Sequence, residues 1–163
     1  MLGSAQVNME ADALISIEVR RLLPLHGSCA LFLGNDEKVF LMCVDPYVGS
    51  AILLEMQKAP RERPVTHDLM FCMLRALGVT VERIIINDFR EDVFYARLIL
   101  SMVNEVSQNR LLVELDARPS DCIALALRAD AGIYVAPHVW NGVEDMTGTL
   151  RELDEKGESE EEE

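Results

Sequence analysis

Residues 111–136 read LLVELDARPSDCIALALRADAGIYVA, and this stretch decides the fold. Leu111, Val113 and Leu115 alternate with Arg110, Leu112 and Glu114, the two-residue period of a strand. Pro119 suits the first turn of a helix, where its missing N–H costs nothing. From there to Asp130 the run Ile123-Ala124-Leu125-Ala126-Leu127 leaves almost no polar face. Such a helix belongs in a core, and its small alanines allow close approach to a sheet. Gly132 then admits a short strand, Ile133 to Ala136.

The same grammar appears upstream. Arg63-Pro64-Val65-Thr66-His67-Asp68 opens an apolar run, as Arg118-Pro119-Ser120-Asp121 opens the first one. Aligned on Asp68 and Asp121, each run has an arginine seven residues on, Arg75 or Arg128, and then a glycine, Gly78 or Gly132. A helix from Pro64 to Leu77 is predicted, closed by Gly78.

Working outward, Leu14 to Leu25 carries a strand pattern, and Cys29 to Leu33 with Lys38 to Val44 form a hairpin around Gly34-Asn35-Asp36. Asp45-Pro46 starts a helix running to about Lys58. Thr80 to Asp88 and Val93 to Met102 are strands joined by the polar turn Phe89-Arg90-Glu91-Asp92, with Val103 to Asn109 a loop. Pro137 to Val143 forms a short helix. Clustered strands with irregularly spaced helices predict an α+β fold: a mixed, mostly antiparallel sheet of about seven strands with three to four helices.

Composition bounds the class. A chain of 163 residues, half of them hydrophobic, buries roughly 70% of its unfolded surface as one domain. The domain is expected over 14–145, between an N-terminal extension at 1–13 and an acidic tail at 146–163. Met1 to Ala13 has neither a basic region nor a long apolar region, so no signal peptide is expected, and no apolar run reaches membrane-spanning length. Cys29, Cys43, Cys72 and Cys122 form no C-x-x-C and lie in apolar stretches, so buried reduced thiols are expected, and with them a cytoplasmic protein. Net charge is −13. Residues 151–163 hold eight of the 28 acids and two of the 15 bases, so this end is expected to be disordered, with an ordered helix as the alternative. The remaining body is still acidic and shows no broad nucleic-acid footprint.

Residues 63–136 resemble the bifunctional nuclease domain family, through RPVTHDLMFCMLRALGVTVERIIINDFREDVFYARLIL and VELDARPSDCIALALRADAGIYVA. The likeness is close over roughly the middle half of the chain and looser over Ile15 to Gln57. The chain departs from the family at Leu41-Met42-Cys43-Val44-Asp45-Pro46, where members often have a glycine-containing Pro-Ile strand end. The resemblance implies a nuclease acting on DNA and RNA.

Phosphodiester hydrolysis needs an activated nucleophile and stabilisation of charge on phosphoryl oxygens. His67, Asp68, Asp116 and Asp121 are the catalytic candidates. Arg63, Thr66, Arg118 and Ser120 are candidates for phosphate binding, aided by the helix N-termini. Asp68, Asp88, Asp116 and Asp121 are the candidate ligands of Mg²⁺ or Mn²⁺. Each has a plainer reading: Asp68 and Asp121 complement helix dipoles, Thr66 and Ser120 cap helices, and Asp116 pairs with Arg118 or Arg63. The competing function is a non-catalytic module, expected to be homo-oligomeric, that binds a small anion or a partner protein.

Overall fold

The computed structural model describes residues 14–103 and 108–161, with side chains described through Lys156. The expected extension at 1–13 and part of the loop after Val103 lie outside these residues. Among these residues seven strands form one sheet: β1 (Ile15–Leu25), β2 (Ser28–Gly34), β3 (Val39–Val44), β4 (Val79–Arg90), β5 (Val93–Val103), β6 (Arg110–Ala117) and β7 (Gly132–Val135). Among the described residues five helices accompany them: α1 (Pro46–Met56), α2 (Thr66–Ala76), α3 (Pro119–Ala129), α4 (Pro137–Gly142) and α5 (Thr147–Glu161). The sheet order is β3-β2-β1-β7-β4-β5-β6. Every neighbouring pair is antiparallel except β4 and β7. The fold is therefore α+β with a mixed sheet.

Strand β1 serves both halves of the sheet. Ile15 to Ile17 pair with β7, while Glu18 to Leu25 pair with β2, with a bulge between Val19 and Arg21. The β4–β5 hairpin turns through Glu91 and Asp92 at φ 50° and 61°, the left-handed pair that matches the twist of two strands. Helix α3 returns the chain from β6 at one edge to β7 near the middle. Cys122, Ile123, Ala124, Leu125 and Ala126 on it are all buried and join the central core with Ile84, Ile86, Ala96 and Leu98.

Helix α1 starts as expected. The Asp45 carboxylate accepts from the Tyr47 N–H at 2.9 Å, and Pro46 follows the cap. Gly49 brings α1 down onto β2, where any Cβ would sit 2.6 Å from Cys29 Sγ. After Met56 the chain leaves the helix, with Lys58 left-handed at φ 48°. Trp140 of α4 packs edge-on against Phe40, and Lys38 Nζ donates to the carbonyls of Trp140 and Val143 at 2.7 Å each, holding the end of that helix.

Two expectations need correction. Residues 147–161, read as a disordered tail, form α5, which raises the helix count to five. Leu150 is buried against Ala30, Phe32 and Val39, and Leu153 packs on the same cluster. These residues form the face of β2 and β3 opposite α1. Thr147 Oγ1 accepts from the Val39 N–H, Asp145 caps the start of the helix, and Arg21 pairs with Asp154. Leu150 is the anchor the composition of the acidic end concealed. The cysteines also divide: Cys29 and Cys122 are buried, whereas Cys43 and Cys72 are exposed, all four as free thiols.

Candidate active site

Helices α2 and α3 lie against each other on one face of the sheet, so His67 and Asp121, each in the first turn of its helix, meet. His67 Nε2 lies 3.0 Å from Asp121 Oδ1, and Arg118 Nε donates to Asp121 Oδ2 at 2.7 Å. The His67 side chain retains 11% exposure, Asp121 26% and Arg118 66%. Burial works against the charged form of Asp121, but the hydrogen bonds from Arg118 and His67 outweigh it and hold the carboxyl below the usual aspartate range. An ionised Asp121 accepts from Nε2–H, which selects the tautomer with its lone pair on Nδ1. Arg118, bonded to that carboxylate, leaves most of its side chain at the surface.

Cys122 follows Asp121 but does not compete as a nucleophile. Burial, together with the negative charges of Asp121 and Asp116, pushes its thiol up to about 12. Ser120 is buried in the same turn, and Thr66 stands exposed at the start of α2. Neither caps its helix: the cap positions are Val65 and Arg118, without a capping side chain at either.

Asp68, the neighbour of His67, joins a different group. Its carboxylate accepts from the Val65 N–H at 3.0 Å and from Arg61, and it forms an ion pair with Arg128 Nε at 3.1 Å. Glu55 completes the cluster at 2.7 Å from Arg61 Nη2. Burial opposes the charge on Asp68, and the Val65 N–H with Arg61 and Arg128 still holds its carboxyl below the ordinary range. Arg61 was invisible as a site residue, because the connector 60–64 carries no pattern that names its partners. Arg128 had one signal, its place in the repeated phrase. That arginine closes onto the aspartate of the other copy, while its counterpart Arg75 packs over the Phe71 ring at 5.9 Å.

The remaining candidates are held separately. Asp116 pairs with Arg97 at 3.0 Å, neither Arg118 nor Arg63 being its partner. Asp88 binds Arg90 at 2.8 Å and the Phe89 N–H. Arg63 is exposed and has no ion pair among the described residues. Among those residues no three His, Cys, Asp or Glu side chains gather as metal ligands. The four aspartates thus do not fit the shared Mg²⁺ or Mn²⁺ site expected for them, because each carboxylate has its own cationic partner.

Residues 31–146 match the Bifunctional nuclease domain. The chain belongs to the bifunctional nuclease domain family. The matched span contains the His67–Asp121 contact and both Arg-Pro helix starts, and it ends one residue before α5. Two uncharacterized proteins of Mycobacterium tuberculosis, from strains CDC 1551 / Oshkosh and ATCC 25618 / H37Rv, are each 37% identical over 102 residues. That alignment covers 63% of this chain and 57% of each relative.

Proposed function

We propose that this member of the bifunctional nuclease domain family hydrolyses phosphodiester bonds of DNA or RNA, with His67 as general base. The observation that supports it is the 3.0 Å contact between His67 Nε2 and Asp121 Oδ1, with Arg118 on the other carboxylate oxygen. In this reading Nδ1 accepts the proton of the attacking hydroxyl, either a water or an RNA 2′-hydroxyl. The oxygen then bonds to phosphorus, and the P–O bond to the leaving oxygen breaks, that oxygen taking a proton from solvent. The Arg118 guanidinium neutralises charge on the phosphoryl oxygens. No step is assigned to a metal, since the described residues do not form a site for one.

The test is hydrolysis of plasmid DNA and RNA by wild type, His67→Ala and Asp121→Asn, with Mg²⁺, Mn²⁺ or EDTA present. The expected result is EDTA-resistant cleavage that falls about 10²–10⁴-fold in His67→Ala. Equal trace cleavage by all three proteins would overturn the assignment. Cleavage abolished by EDTA would overturn the metal-free version.

A specific observation favours a second reading, an oligomeric binding module. Leu69 and Met73 on α2 and Leu77 just after its end stand 56%, 56% and 70% exposed. Their spacing makes a helical stripe, the kind of surface a second copy covers. Light scattering of wild type and Leu69→Glu/Met73→Glu decides it: a wild-type dimer that the double variant turns into a monomer supports the module, and a monomeric wild type removes it. A cytoplasmic setting, where free thiols persist, accompanies either reading.

A further inference from the structure

The cluster around Arg61 borders a cleft of about 360 Å³ between the end of α1, the connector 57–65, α2 and the last turn of α3. Four cations line it, Lys58, Arg61, Arg63 and Arg128, against two carboxylates, Glu55 and Asp68. Both carboxylates are already shared between Arg61 and Arg128. Lys58 and Arg63 have no ion-pair partner among the described residues. Arg61 Nε is buried and has no acceptor among the described residues. The wall therefore has two positive charges beyond its carboxylates, in a chain whose net charge is −13.

We infer that this cleft binds a phosphate monoester dianion. The chemistry follows from the charge and the donors. Glu55 and Asp68 clamp two guanidinium groups so that they neither collapse into solvent nor repel each other apart. Lys58 and Arg63 supply the uncompensated charge, and a dianion balances it. Guanidinium groups present planar donor pairs to phosphoryl oxygens. The volume lies within the range of small-ligand pockets. The monoester has two sources, a free mononucleotide or the 5′-phosphate end of a nucleic-acid strand. The inference is independent of the hydrolytic role of His67, which lies outside the cleft lining.

The experiment measures binding of adenosine 5′-monophosphate against adenosine by calorimetry, with Arg63→Gln and Lys58→Gln as variants. Both residues are exposed, so each variant should keep the wild-type melting temperature. Wild type should bind the monophosphate and not the nucleoside, and each variant should bind about tenfold more weakly, or worse, from loss of one charge-assisted contact. Cys72 lines the same cleft and is exposed, so the monophosphate should slow its alkylation by iodoacetamide while leaving Cys43 unaffected. A 5′-phosphorylated oligonucleotide binding more tightly than its 5′-hydroxyl form assigns the cleft to strand ends. Equal binding of the two, with the free monophosphate retained, assigns it to free mononucleotides. If the monophosphate neither binds at about 1 mM nor protects Cys72, or if both variants bind it as wild type does, the inference is overturned.

Discussion

His67 and Asp121 are 54 positions apart in the chain and 3.0 Å apart in the fold. The contact exists because α2 and α3 begin at the same end of their shared interface. It ties an aspartate held in its charged form to a histidine that is almost buried, an arrangement suited to moving a proton.

This pair gives a prediction on catalysis. Asp121→Asn keeps the size of the side chain but removes its charge and permits the wrong imidazole tautomer. Turnover should fall by about 10²-fold or more, with KM changing much less, because the imidazolium is stabilised only as the proton moves. Steady-state kinetics on an RNA substrate check this. A rise confined to KM would mean that Asp121 holds substrate through Arg118 instead.

Asp68 should behave in the opposite way. Its carboxylate is nearly buried between Arg61 and Arg128, so Asp68→Ala leaves the buried Arg61 guanidinium with Glu55 as its remaining counter-charge. The expected cost is about 3–5 kcal/mol, read from urea unfolding. A variant that stays stable yet loses activity would restore Asp68 to the catalytic group proposed from its sequence position.

The pH dependence has a definite sign. In the folded chain the Asp68 and Asp121 carboxyls are both held below the ordinary aspartate range. The unfolded chain therefore binds more protons in that range, and stability rises with pH. Their contribution is complete above the ordinary aspartate value and is lost as pH falls through the depressed one. Thermal melts between about pH 5 and pH 2 should show a steep loss in wild type and a shallower one in Asp68→Asn. Parallel curves would show that Asp68 contributes no acid sensitivity.

Two core substitutions test the placement of the helices. Ala126 is fully buried on α3, so Ala126→Glu should cost several kcal/mol, on the order of an unpaired buried charge. Leu150→Ala should cost about 2–5 kcal/mol if α5 is docked on β2 and β3. Removing residues 147–163 should lower the melting temperature as well. A truncated chain that melts like the full one would detach α5 from the fold.

Asp116→Asn is the mild case. Asp116 is 69% exposed and its pair with Arg97 is solvated, so the loss should stay within about 1 kcal/mol. Circular dichroism melts decide whether this pairing matters to the fold.

The amino-acid sequence by itself determined the kinds of element and their order. Period-two alternation marked the strands, Asp45-Pro46 and the two Arg-Pro phrases marked helix starts, and the unbroken apolar run from Ile123 to Leu127 marked the buried helix. These signals are local, carried by residues a few positions apart. Neighbourhoods in the site were legible too, since His67 and Asp121 both stood out at helix starts. Only the tertiary structure decided which charges meet. Asp68 turned to Arg61 and Arg128, Asp116 to Arg97, and Asp121 to His67, because an ion pair between distant residues depends on how helices and strands are stacked, and charge alone names no partner. The same holds for α5. Its acidic composition opposes folding in isolation, and only the apolar back face made by Ala30, Phe32 and Val39 gives Leu150 and Leu153 somewhere to be buried.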